Sequence, residues 1–287
     1  MAQQFSPSIS SLRDESNRRS LTRTILTLPS IWLMAMLLSV AIFSPFMTPY
    51  DPVQVNFSQR LQPPSAEHWF GTDGFGMDIF TRVLYGARKD LLLAFSAAGL
   101  AAVVGSLLGA LGGYARGSID DILQRVTEVI QAFPVVLFAI AVLTAIGVTL
   151  FNLVIVIAII NVPVYQKIVR SIALPMRSAE FIEAARCAGH GTVSIIVRHI
   201  LPNTLGPVLA QFSINCAWAI QVVAGLSFLG MGVKIPEPEW GLMVQQGSNY
   251  VVTGEWWAAF FPGMAIMVGV YGFHVLGVQI KALVSPN

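Results

Sequence analysis

Glu180, Glu183 and Arg186 recur at every third residue in the run Glu180-Phe181-Ile182-Glu183-Ala184-Ala185-Arg186-Cys187-Ala188-Gly189. With Ser178 as a cap and two carboxylates near the positive end, the run predicts a short helix. Phe181, Ala184, Ala185 and Ala188 would form its apolar face, and Gly189 would end it in the left-handed region. Such a helix, shallow on one side and charged at its flanks, suits a groove on another protein. Packing against its own chain is the plainer alternative. A second constellation is Gln211, Asn215, Trp218 and Gln221, which share an arc of about 120° at roughly 100° per residue. These side chains would either line a polar pathway or bond between helices. Catalytic patterns are missing. The sequence has no GxxxxGK[ST] phosphate loop and no HExxH around His68, His190, His199 or His274. Gly225-Leu226-Ser227-Phe228-Leu229-Gly230 is one residue too long for a nucleophile elbow. No catalytic residue and no metal site is therefore expected. Cys187 and Cys216 fall in different settings, so no disulfide is expected between them.

The elements that must hold these residues are set by composition. Hydrophobic residues make up 55% and charged residues 11%, against roughly 25% charged in an average soluble domain. So few charges cannot cover a soluble surface, and a net charge of +2 gives no case for nucleic acid. Apolar runs cover 28–47, 91–114, 122–146, 150–172, 205–230 and 256–280. Each suits a helix crossing a hydrocarbon core of about 30 Å, where backbone groups must bond within the segment. The first run continues past Ser39-Val40-Ala41 and reads as an uncleaved span. Pro134 marks a kink in the third run and Pro163 lies late in the fourth. Gly105 and Gly109 form a GxxxG pair in the second. The expectation is an all-α membrane protein of six transmembrane helices, with the short helix between spans 4 and 5. It divides into an N-terminal tail (1–25), a first helix plus external segment (26–90) and a five-helix core (91–287). No Asp/Glu pair stands mid-span, where a proton relay would need it.

Orientation follows from Lys and Arg. With the N-terminus inside, Arg13, Arg18, Arg19, Arg23, Arg116, Arg125, Lys167, Arg170, Arg177, Arg186, Arg198 and Lys281 are cytoplasmic, 12 of the 17 basic residues. This split favours both termini inside. The external parts are then 48–90 and 231–255. Trp69, Trp240, Trp256 and Trp257 would sit at the outer interface, and the 240–250 stretch would lie on the membrane or touch a partner.

Three ordered motifs carry a family resemblance. Glu183-Ala184-Ala185, Gly189, Leu201 and Pro202 resemble the EAA signature of ABC importer permeases, with His199 at its isoleucine position. Phe70-Gly71-Thr72-Asp73-Gly74-Phe75-Gly76-Met77-Asp78 is similar to a segment of the second permease subunit of dipeptide, oligopeptide and nickel importers. Gly71, Thr72, Asp73, Gly76 and Asp78 match that pattern, and Met77 stands where it has arginine. Leu226 to Gly232, followed by Pro236, Pro238 and Glu239-Trp240-Gly241, resembles the exit from the fifth span in the same subfamily.

The resemblance implies a half-pore in a bacterial inner membrane, paired with a second homologous permease subunit. Glu180, Glu183, Ala184, Ala185, Arg186 and Gly189 would form the joint to two cytoplasmic ATPase subunits, and a binding protein outside would deliver cargo. ATP and Mg²⁺ would be used by those partners, with no cofactor on this chain. Dipeptides or oligopeptides are the expected cargo, with nickel or another small solute carried by the same machinery as the alternative. A secondary transporter would need mid-membrane ionisable residues or an inverted repeat, and the sequence offers neither.

Overall fold

The computed structural model describes residues 29–284, so the basic tail at 1–25 lies outside the described residues. The apolar runs form helices that supply their own backbone hydrogen bonds. In chain order these are α1 (Pro29–Met47), α2 (Ile79–Ala115), α3 (Ser118–Ala132), α4 (Val135–Ile146) and α5 (Leu150–Met176). They continue with α6 (Glu180–Cys187), α7 (Thr192–Phe228), α8 (Trp240–Ser248) and α9 (Trp257–Val284). The described residues contain no β-strand beyond an isolated Thr72–Asp78 bridge. α1, α2, α5, α7 and α9 are long and apolar enough to cross a membrane, and α3 with α4 would make a sixth, bent crossing.

Four boundaries differ from the sequence expectation. α2 begins at Ile79, so it crosses the expected division at residue 90. Arg82, Arg88, Lys89 and Asp90 disguised its first turns as loop. Asp78 caps this end, its Oδ2 accepting from Thr81 N–H at 2.7 Å. The third run is two helices that meet at 94°, because Pro134 denies the ladder a donor and fixes its own φ. α7 starts at Thr192 rather than Leu205. Pro202 cannot donate, and the helix widens into a π turn over Ile196–Ile200, where Leu201 N–H reaches back to Ile196 O. The outer 231–255 segment contains α8, which is packed into the bundle.

The tightest helix pair is α2 against α5. A Cβ on Gly105 would lie 2.6 Å from Val162 O, and one on Gly109 2.4 Å from Gln166 O. The GxxxG pair therefore has a defined partner, and side-chain-free backbone is what permits the approach. α7 lies along both α2 and α9, and Ser213 Oγ donates to Phe273 O at 2.7 Å. Trp240 is 1% exposed and fills the core beside Gly86 and Gly269, its indole N–H donating to Val83 O at 2.9 Å. It is thus a core plug rather than an interfacial indole, which corrects the expectation for it and for the 240–250 stretch.

Candidate functional site

The polar stripe on α7 opens onto a cavity of about 520 Å³ between the α3–α4 elbow, α5 and α7. Gln211, Asn215 and Trp218 line it, joined by Asn161 from α5 and Gln131 from α3. Gln211 Nε2 donates to Asn215 Oδ1 at 2.8 Å along the same helix. Gln221 is exposed one turn beyond and does not reach the cavity. Asn161 and Gln131 are additions to the sequence reading. Asn161 had a signal, since it is an amide inside the apolar run Ala158-Ile159-Ile160-Asn161-Val162. The polar side chains on this wall are carboxamides and an indole, so it offers uncharged donors and acceptors.

α6 is held by one face. Ile182 and Ala185 are buried against the bundle, in a cluster with Ala173, Ile195 and Ile200. Arg186 lies over the Tyr114 ring, its Nε donating to Tyr114 Oη at 3.1 Å and its Nη2 to Arg177 O at 3.3 Å. Glu180, Phe181, Glu183, Ala184, Cys187 and Ala188 are exposed. The face therefore differs from the expected one, because Ala185 turns inward with Ile182. Ser178 does not cap the helix. Its hydroxyl donates to Pro175 O at 3.2 Å, and the cap position falls on Ala179, which makes no side-chain bond. Gly189 does adopt the left-handed conformation, at φ +83°. There His190 N–H bonds back to Ala185 O at 3.0 Å.

The external motif is built into a knot over the outer ends of the helices. Asp73 Oδ1 accepts from Phe75 and Met77 N–H at 2.8 and 3.0 Å. Thr72 Oγ1 accepts from Gln62 N–H and donates to Gln59 O. Gly76, at φ +75°, lies so close to Asn56 that a Cβ would fall 1.7 Å from its carbonyl oxygen. Gly71 is also left-handed, at φ +74°. Asp78 caps α2 and meets His68 Nδ1 at 2.9 Å. Arg82 is fully buried, its Nη1 reaching Pro52 O, Pro236 O and Met77 Sδ at 2.7, 2.9 and 3.0 Å. Asp73 Oδ2 lies 3.4 Å from Arg82 Nε. Burial pushes the Asp73 carboxyl up, against the pull of Arg82 and its two backbone donors. Arg82 is thus a tie within the protein, not a free outer charge.

Residues 101–281 match the family model described as "Binding-protein-dependent transport system inner membrane component". The chain belongs to that family. Residues 18–64 also match the N-terminal transmembrane domain of oligopeptide transport permease C. The permease is 40% identical over 269 residues to the dipeptide transport system permease protein DppC of Alkalihalophilus pseudofirmus, covering 94% of this chain and 88% of that protein. It is 38% identical to the probable D,D-dipeptide transport system permease protein DdpC of Escherichia coli, over 91% of this chain and 88% of the relative. An inward-facing structure of the MetNI methionine ABC transporter shares the fold at 15% identity and TM-score 0.57, covering 71% of this chain and 97% of that one. The permease is accordingly a multi-pass membrane component of an ABC importer, which works with further subunits.

The permease also brings together two carboxylates that lie far apart in the sequence. Glu239 is fully buried and caps α8, accepting from Gly241 and Leu242 N–H at 2.8 Å each. Asp90 of α2 is 3% exposed and accepts from Trp240 N–H at 3.1 Å. Both therefore hold the first turn of α8, although 148 residues separate them in the chain. Burial raises the Glu239 carboxyl above the ordinary range, opposed by Ser227 and the two backbone donors.

Proposed function

We propose that this permease forms half of a translocation pore for dipeptides or short peptides in a bacterial inner membrane, with both termini cytoplasmic. A second homologous permease subunit closes the other half. Two cytoplasmic ATPase subunits receive α6, and an extracytoplasmic binding protein delivers the peptide. ATP and Mg²⁺ act in those subunits, and this chain contributes no catalytic group. The observation that carries the reading is the division of α6 into an anchored face and a bare one. Ile182, Ala185 and Arg186 fix it to the bundle, and Glu180, Ala184 and Ala188 stay open for a groove in the ATPase.

Closure of the ATPase pair on ATP would displace the two α6 helices, and the bundles would rock from inward-open to outward-open. Peptide leaving the binding protein would then meet the carboxamides of Asn161, Gln211 and Asn215. These groups can exchange hydrogen bonds with a peptide backbone whatever its side chains. The dipeptide permeases among its relatives support peptide as the cargo. Hydrolysis would return the pore to the inward-open form.

The test is reconstitution of the complex in proteoliposomes. Glu183→Lys and Gly189→Asp should each abolish ATP-dependent peptide uptake while the chain still inserts in the membrane. Uptake at the wild-type rate in both variants would remove α6 from the mechanism.

A further inference from the structure

α3 has three faces, and one of them stands open over most of its length, with Phe133 at its end beside the Phe138 ring. Asp120 and Thr127 are buried against the bundle. Both Asp120 carboxylate oxygens accept from Arg170 of α5 at 2.6 Å, and Thr127 Oγ1 bonds Gln166 Oε1 at 3.3 Å. These bonds fix how α3 is turned. A second face carries the exposed charges Asp121, Arg125 and Glu128. The third is a stripe of Ile119, Ile122, Val126, Val129 and Phe133, each about half exposed. Its spacing alternates three and four residues without a break, which is the seam pattern of one helix meeting another.

Lipid alone is a poor occupant for that face. The lipid-facing pattern in this chain is shown by α1, which has no Asp, Glu, Lys or Arg in its 19 residues and exposes Trp32, Leu38, Phe43 and Met47, spread over about half its circumference at roughly 100° per residue. α3 instead confines its exposed apolar groups to a narrow stripe with charges alongside. The stripe is also continuous with the pore wall, since Phe133 belongs to the seam and lines the carboxamide cavity. A subunit that completes the cavity must come up against its rim, and the stripe begins there.

We propose that the Ile119–Phe133 stripe is the surface on which the second permease subunit packs, through a helix of its own with an apolar seam. This rests on the half-pore reading and adds the place of contact. The partner helix would cross at a shallow angle of about 20°, with acidic groups opposite Arg125 or basic groups opposite Asp121 and Glu128. The joint would then lie beside the cavity, so separation of the subunits would open it.

The experiment uses the whole complex in membranes. A photoreactive benzoyl-phenylalanine replaces Val126, and a control replaces Val103 of α2, which is exposed on another side. Irradiation should crosslink position 126 to the second permease subunit and leave position 103 without that product. Crosslinking of 126 only to lipid, or to an ATPase subunit, would overturn the proposal. A second measurement covers the case in which the bulky probe blocks assembly. Val126→Cys in a Cys187→Ser background is labelled with a membrane-permeant maleimide, Cys216 being buried. An interface core excludes reagent as it excludes water, so labelling should be about tenfold slower in the complex than in the subunit expressed alone. Equal rates would overturn the contact surface alone. A wild-type complex that lacks any second permease subunit would instead overturn the half-pore reading beneath it.

Discussion

Arg82 binds two distant loops through one nitrogen, Pro52 O on one side and Pro236 O on the other. Met77 sits where the resembling pattern has arginine, and it gives Arg82 a soft acceptor in a site 1% exposed. Arg82→Met should therefore strip both carbonyls of their donor and Asp73 of its counter-charge. Breaking one side of a buried charge pair costs about 3–5 kcal/mol, and the loss should appear as a lower melting temperature with increased proteolysis of the 50–78 segment. An unchanged melt would remove Arg82 from the role of tie. Glu239 sets a pH dependence. Its carboxyl is raised by burial, so the folded state holds this proton more tightly than the unfolded chain. The stabilisation is complete below the ordinary glutamate value of about 4.3 and is lost as pH rises through the raised one. The purified complex should melt at lower temperature as pH rises through that interval, and Glu239→Gln should flatten the trend. A slope identical in the two proteins would count against it. Residues of this kind were partly legible. Asp78, Gly71 and Gly76 stood in a recognisable pattern, but the meeting of Asp90 with Glu239 depends on how α2 passes α8, which no local spacing records.

At the scale of the element, α6 shows what periodicity can and cannot supply. The small-residue run and Gly189 located the helix and its end. The choice of inward face depended on Ile182, which pairs with Ala185 because the hydrophobic cluster around Ile195 and Ile200 lies on that side. Ser178 failed as a cap because its hydroxyl is already committed to Pro175 O. Two arginine substitutions one residue apart should then separate docking from folding. Ala184→Arg should leave the melt unchanged and uncouple ATP hydrolysis from uptake. Ala185→Arg forces a cation into the bundle and should destabilise the protein by a few kcal/mol. If both variants merely unfold, the bare face has been misassigned. The same limit applies to α2, whose charged first turns read as loop because their partners lie in other segments. Charge marks a loop only when nothing else in the fold is there to receive it.

At the scale of the molecule, the apolar runs foretold an all-helical bundle with five long spans and a bent helix pair, because lipid leaves the backbone so few choices. The 94° turn between α3 and α4 was less legible, since Pro134 announces a break without its angle. That turn helps form the carboxamide cavity, and the cavity makes a prediction about throughput. The pair Asn161→Leu with Asn215→Leu should preserve assembly and lower peptide uptake about tenfold, as expected when roughly 1.4 kcal/mol of polar contact is lost. Wild-type uptake would show that cargo passes elsewhere.

The glycine contact between α2 and α5 sets the mechanical character of the subunit. With backbone against backbone at Gly105 and Gly109, the two rods have no layer of side chains to shear past one another. α5 ends at Met176, with three residues between it and the start of α6, and Ala173 near its end already touches the Ile182 cluster. A thrust on α6 thus enters a doubled strut rather than a single helix. Close packing of the two backbones stiffens α5 along this stretch. Compliance is left to the joints that lack such a splint, the elbow at Pro134 and the left-handed Gly147 at the end of α4.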